Sequence, residues 1–165
     1  MERYDIAVIG TGPAGVSAAI TAKVRGKKLI LFGSRHLSDK VEKAHSILNY
    51  PGLPNVSGAE LANAYRMQLD SLDIPITEKQ VTAVYAMGDY FAIQTPDDMV
   101  ESTAVILAAG VVTSKALPGE DAFLGRGVSY CATCDAHFYR GKTVAVLGYS
   151  KQACREADFL AETCE

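Results

Sequence analysis

A chain of 165 residues that is 48% hydrophobic and 21% charged has the composition of an ordinary globular protein, which excludes disordered and collagenous classes. Its net charge of −3, from 16 Lys and Arg against 19 Asp and Glu, gives no basic footprint for nucleic acid. The longest apolar stretch, Ala104 to Val112, is about half of what a membrane-spanning helix needs, and its small residues suit a buried strand.

In chain order, Tyr4 to Ile9 reads as a strand that starts so close to Met1 that no signal or transit peptide is expected, which points to the cytoplasm. Gly10 to Gly15 forms a turn, and a run of Ala, Ile and Val to Val24 forms a buried helix that Gly26 stops. Lys28 to Phe32 is a second apolar strand, completing a β-α-β unit with parallel strands. Residues 34 to 56 are loop-like, broken by Pro51, Gly52 and Pro54. Ser57 to Glu60 matches a capping box, and Leu61, Tyr65, Leu69 and Leu72 mark one face of the helix it opens.

From Val81 to Leu107, short β-type runs separated by Gly88-Asp89 and Pro96-Asp97-Asp98 predict an antiparallel meander, which ends at Ala108-Ala109-Gly110. Leu117-Pro118-Gly119 is the linker candidate. Beyond it, Lys142 to Leu147 predicts a second strand, followed by a glycine turn and a helix from Gln152 to Glu162. The expected organisation is a first domain over residues 1–113 and the start of a second over 118–165. A lone βα unit cannot form a sheet, so the expectation is part of a longer polypeptide.

Gly10-Thr11-Gly12-Pro13-Ala14-Gly15 is a G-x-G-x-x-G loop between strand and helix, the context this dinucleotide motif requires. The first glycine permits the turn, the second admits a pyrophosphate to the backbone, and the third lets helix and strand pack; the phosphate then meets the helix's positive end. The acidic residue that the fingerprint asks for about 20 positions on is absent, because the second strand runs out into Phe32-Gly33-Ser34-Arg35. A glycine turn that merely packs is the competing reading.

Cysteines stand at 131, 134, 154 and 164, too few and too uneven for a secreted disulfide framework, and one pair has C-x-x-C spacing. Such a pair can cycle between dithiol and disulfide, with Asp135 beside it as a proton donor. Zinc would need about four ligands, and only His137 lies close in sequence. Two buried cysteines falling together by chance is the bland alternative. Burial or plain exposure accounts for Cys154 and Cys164.

Together, Gly10 to Gly15, Asn49-Tyr50-Pro51-Gly52, Ala108-Ala109-Gly110, Gly125-Arg126-Gly127-Val128-Ser129, Cys131-Ala132-Thr133-Cys134-Asp135 and Phe138-Tyr139-Arg140-Gly141-Lys142 resemble the low-molecular-mass thioredoxin reductases over nearly the whole chain. The resemblance implies an α/β flavoprotein with two Rossmann-like, three-layer dinucleotide-binding domains, the second truncated here. The FAD domain would be completed by a C-terminal stretch. It implies that Gly10, Gly12, Pro13, Ala14 and Gly15 hold the FAD pyrophosphate, that Gly33 and Ser34 join the cofactor contacts, and that Asn49, Ala109 and Gly110 approach the flavin. Cys134 would face the flavin, Cys131 would attack the disulfide of thioredoxin, and Asp135 would be the acid. A homodimer is also implied.

Two departures bear on the electron donor. In the second glycine loop, Gly148-Tyr149-Ser150-Lys151-Gln152-Ala153, a serine replaces the middle glycine that NADPH-using members carry, and its Cβ and hydroxyl would crowd a pyrophosphate. After Gly33, His36-Leu37-Ser38-Asp39-Lys40 replaces the family's Gly-Gly-Gln. Both changes resemble the ferredoxin-dependent flavin thioredoxin reductases, so ferredoxin is the expected donor and NADPH the alternative. Lys23, Arg25, Lys27, Lys28, Arg35, Lys40 and Lys43 would attract acidic ferredoxin or simply form a solvated face. Two further readings stay open: a flavin dithiol oxidase using the same cysteines, and a non-catalytic FAD-binding redox sensor.

Overall fold

Strand β1 (Arg3–Ile9) buries the adjacent residues Ala7 and Val8 completely, so both of its faces are covered, as in the middle of a parallel sheet. The computed structural model describes residues 3–110 and 116–164, which fall into two compact units: Met1–Glu42 with Gly58–Thr113, and Lys43–Ser57 with Ser114–Glu165. The end of the apolar stretch at Val111 and Val112 and the expected domain end at residue 113 lie outside the described residues.

In the first unit, helix α1 (Pro13–Val24) starts with Pro13 in the first turn and closes before Gly26, which adopts φ +68°. It buries Gly15, Val16, Ala19 and Ala22, a stripe of small side chains that lets it lie close on β1 and on β2 (Leu29–Phe32). β2 runs parallel to β1 in register Ile6 with Leu29 through Ile9 with Phe32, the expected β-α-β unit. The segment expected as loop contains one helical turn, α2 (Asp39–Glu42), which packs on α3 (Gly58–Ser71). Leu61, Tyr65 and Leu69 of α3 are buried as their spacing predicts, and Leu72 is half-buried.

The meander forms as β4 (Ala83–Ala86), β5 (Phe91–Gln94) and β6 (Met99–Leu107), antiparallel in sequence. Its last strand does a second job that the alternation alone does not reveal. β6 also pairs parallel with β1, from Arg3 with Glu101 to Ile9 with Leu107. With the two-residue strand β3 (Ile76–Thr77) beside β2, the sheet order is β3-β2-β1-β6-β5-β4. In a flat sheet Ile93 of β5 would stand about 14 Å from β2, three strand spacings away. Instead Ala7, Phe32 and Ile93 form one buried cluster, flanked by Ile9, Ile30, Val84, Val100 and Val105. Sheet twist carries the meander over that face, while α1 packs on β1, β2 and β6 and α3 packs on α1.

In the second unit, Lys43–Ser57 makes an antiparallel bridge, Ile47 N–H to Val56 O at 2.7 Å and Val56 N–H to Ile47 O at 3.2 Å. Tyr50-Pro51-Gly52-Leu53 closes a turn with Gly52 at φ +83°, the positive value that position requires. There follow α4 (Glu120–Phe123), α5 (Ala132–Asp135), a 3₁₀ turn (Ala136–Tyr139) and α6 (Lys151–Ala161), with α5 packed on α6. The strand expected at Lys142 to Leu147 does not form. A strand exists only where another backbone accepts its ladder, and among the described residues this unit contains isolated bridges and no strand. No helix is long and apolar enough to cross a membrane among the described residues.

Because Leu61 is buried between α3 and the rest of the first unit while Leu72 is half-buried, their truncations should differ. Leu61→Ala is expected to cost about 3 kcal/mol in urea unfolding of the protein and Leu72→Ala less than about 1.5 kcal/mol.

Candidate active site

The parallel strands β2, β1 and β6 end in line at Phe32, Ile9 and Leu107, so the residues that follow them converge at the carboxyl edge of the sheet. Gly10 N–H donates to Phe32 O at 2.8 Å and Ala108 N–H to Ile9 O at 2.8 Å, joining the glycine loop to the segments on either side. The expected cofactor residues Gly10, Gly12, Gly33, Ser34, Ala109 and Gly110 thus lie on the loops that follow these three strands, and Pro13, Ala14 and Gly15 in the first turn of α1. Ligands of open α/β sheets bind at this edge.

Each glycine of the loop has its own reason. At Gly10, with φ +117°, a Cβ would lie 2.1 Å from Ala108 O, and at Gly15 it would lie 1.9 Å from Gly10 O. These two positions are closed by the protein's own backbone. A Cβ on Gly12 would meet nothing within 4 Å, so nothing in the fold itself requires glycine there. Gly12 is also the N-cap of α1; it supplies no capping side chain, and the first turn holds no acidic residue. An open, uncapped and uncountered helix N-terminus is what a pyrophosphate requires, and the loop fits the FAD that the resemblance implies.

Thr11, which falls on a variable position of the motif, ties this loop to the one after β2. It is buried, its Oγ1 donates to Leu37 O at 2.9 Å, and it accepts from Ser34 N–H at 3.2 Å. A Cβ on Gly33 would come within 2.5 Å of the Thr11 side chain, so Gly33 is needed for this close packing. Leu37, within the segment that departs from the family pattern, is buried at φ +61°, a strained conformation for a leucine that the Thr11 bond helps to hold.

In the second unit Cys131 and Cys134 form a disulfide with Cα atoms 5.3 Å apart, both half-buried. Cys131 caps α5, its Sγ accepting from Cys134 N–H at 3.2 Å. Asn49 belongs to this unit, and its side-chain amide donates to Cys134 Sγ at 3.8 Å. Asp135 accepts from Ser129 Oγ at 2.6 Å, and Ser129 Oγ in turn accepts from Cys131 N–H at 3.0 Å. Neither Thr11 nor Ser129 stands out in the sequence: a hydroxyl six residues from its carboxylate matches no helical spacing, and this turn is not a strand.

Beside the pair, Tyr130 donates to Glu120, which also accepts from Leu117 N–H; the two bonds hold the Glu120 carboxyl below its ordinary range. The contact is therefore complete at neutral pH and is lost as pH falls through that lowered value. Cys154 is exposed on α6 and Cys164 half-buried just beyond it. Among the described residues no group of three or more His, Cys, Asp and Glu side chains is placed to hold a metal ion.

The fold and the cysteine pair define a dinucleotide-binding α/β protein with a redox-capable dithiol. The family model of pyridine nucleotide-disulphide oxidoreductases matches residues 4–164, and the chain belongs to this family, whose members are FAD-binding flavoproteins. It is 36% identical to the thioredoxin reductase of Aquifex aeolicus over 96% of this chain and 50% of that protein. To the thioredoxin reductase of Treponema pallidum it is 37% identical over 93% and 51%. Among solved structures, a ferredoxin-flavin thioredoxin reductase from Clostridium acetobutylicum is 53% identical over 100% of this chain and 57% of that one, with a TM-score of 0.68. The thioredoxin reductase of Streptococcus pyogenes is 33% identical over 98% and 53%, with a TM-score of 0.84. The chain spans about half the length of the curated relatives it matches.

The contrast among the glycines is open to a direct test. Gly12→Ala should strip FAD from the purified full-length protein, read as loss of its flavin absorbance, but leave the unfolding of the FAD-free protein close to that of the FAD-free parent. Gly15→Ala should lower both, because its methyl must displace backbone.

Proposed function

We propose that the full-length protein is a flavin-dependent thioredoxin-disulfide reductase that passes electrons from FAD through Cys131 and Cys134 to thioredoxin, with ferredoxin as donor. The observation that carries this reading is the Cys131–Cys134 disulfide, with Asp135 held beside it, in a chain whose first unit presents an open dinucleotide loop. Held on Gly10 to Gly15 and reduced by the donor, the flavin would supply the electron pair that opens this disulfide.

The chain's own residues do the rest. The N–H of Cys134 stabilises a thiolate on Cys131, and the Asn49 amide does the same for Cys134. Cys131 thiolate attacks one sulfur of thioredoxin's disulfide, that S–S bond breaks, and the departing sulfur takes a proton from Asp135. Cys134 then attacks Cys131 Sγ, releasing the second thioredoxin thiolate and restoring the disulfide. The family resemblance supports a homodimer, and a single C-x-x-C pair in place of a framework of several disulfides supports the cytoplasm.

Two features favour ferredoxin over NADPH. Ser150 Oγ accepts from Ala153 N–H at 3.2 Å as the N-cap of α6, occupying a donor at the helix end that a second pyrophosphate would need. The Clostridium acetobutylicum structure is that of a ferredoxin-flavin thioredoxin reductase, and that chain is 53% identical to this one.

Cys131→Ser should keep flavin reduction and lose thioredoxin reduction, and Cys134→Ser should trap a mixed disulfide through Cys131, mapped by mass spectrometry. Trapping through Cys134 instead would reverse the two roles.

For the donor, anaerobic flavin bleaching should be fast with reduced ferredoxin and slow with micromolar NADPH. Ser150→Gly with Tyr149→Gly should improve NADPH binding by removing the cap and its side chains. Fast bleaching of the unaltered protein by NADPH would replace ferredoxin with NADPH as donor.

A further inference from the structure

The arrangement around Asp135 contains a hydroxyl with more acceptors than protons. Ser129 Oγ lies 2.6 Å from Asp135 Oδ2 and 3.3 Å from Cys131 O, and it also accepts from Cys131 N–H at 3.0 Å. One proton cannot serve both acceptors. It goes to the ionised carboxylate, because a charge-assisted O–H to O⁻ bond is shorter and about twice as strong as a neutral one. Once Asp135 is protonated, the carboxylic acid can donate to Ser129, whose own proton turns to Cys131 O, already within reach.

We propose that Ser129 is a positioning residue that holds the Asp135 proton donor against the backbone of Cys131 in both of its protonation states. The inference rests on the reading of Cys131 and Cys134 as an exchanging dithiol. Ser129 touches no reacting atom: anchored on the N–H of Cys131, its hydroxyl holds the Asp135 carboxyl in place. Ser129, Cys131 and Asp135 are each half-buried and belong to one turn of the second unit.

In thiol–disulfide exchange the attacking thiolate forms one S–S bond as another breaks, and the departing sulfur leaves with the electron pair. A nitroaryl thiolate leaves unaided, whereas an alkyl thiolate leaves faster when a proton meets it. A residue that serves the acid therefore matters for alkyl disulfides and not for nitroaryl ones. A residue that merely shapes the turn matters equally for both.

The test uses the full-length protein, reduced beforehand with dithiothreitol, freed of excess reagent, and mixed in single turnover with hydroxyethyl disulfide or with dithionitrobenzoate. Ser129→Ala should slow the alkyl reaction about tenfold and leave the nitroaryl reaction within about twofold. Ser129→Thr, which keeps the hydroxyl, should restore the alkyl rate. Asp135→Asn should show the same selective loss, and adding Ser129→Ala to it should slow the alkyl reaction no further, since Ser129 acts on that reaction only through its bond to Asp135. Equal loss with both disulfides, no loss with either, or full additivity with Asp135→Asn would overturn the proposal. Neither probe involves thioredoxin or a flavin donor, so these rates stand even if the reduced protein fails to reduce thioredoxin, which would defeat the functional reading alone.

Discussion

Gly10 and Gly15 are pressed against the chain so closely that no side chain fits at either. A Cβ at the first would overlap the carbonyl of Ala108, and a Cβ at the second would overlap the carbonyl of Gly10. This contact brings three separate segments, the turn after β1, the start of α1 and the end of β6, to one point at the carboxyl edge of the sheet. The small buried face of α1 follows from it, since Val16, Ala19 and Ala22 can lie against the strands only if the helix begins this close to β1. So does the parallel pairing of β6, whose end at Leu107 leads directly into Ala108. This edge is built by exclusion: backbone fills the space behind the loop, and of the loop's three glycines Gly12 is the one with open room for a Cβ.

That edge was legible in the sequence because its cause is local. Three glycines at fixed spacing between a strand and a helix state a steric requirement that few other arrangements share. The face of α3 was legible for a similar reason, since Leu61, Tyr65 and Leu69 repeat at helical spacing. What the sequence hid was partnership. Alternation announced β6 as the last strand of a meander, but nothing in Met99–Leu107 says that its second edge pairs with β1, 90 residues or more away in sequence. The two-residue strand β3 is too short to carry a period at all. Lys142 to Leu147 failed in the opposite direction, having strand composition without a strand beside it.

Hydroxyl groups make up much of what remained hidden. Thr11 couples the glycine loop to the turn after β2, and Ser129 couples Asp135 to Cys131. Such residues carry no periodicity and little compositional weight, and the bonds they make depend on where distant backbone happens to pass. Their effect on geometry is nonetheless large. A buried loop carbonyl such as that of Leu37 needs a donor, and a strained leucine keeps its conformation only while its surroundings hold it.

The two glycine loops of the chain put this contrast on one scale. In the first, α1 opens at Gly12 with no side chain closing its N–H groups, so the helix end remains available to an anion. In the second, α6 opens at Ser150, and the serine satisfies Ala153 N–H itself. Gly148 is still required there, because a Cβ would lie 2.3 Å from that of Ala153, so the packing role of the loop persists after the middle glycine is gone. A dinucleotide loop therefore contains two separable functions. Close packing of helix on its neighbours rests on the outer positions, and acceptance of a phosphate rests on the middle one. In the second loop a single hydroxyl at the middle position accepts one of the helix's own N–H groups while Gly148 keeps the packing role.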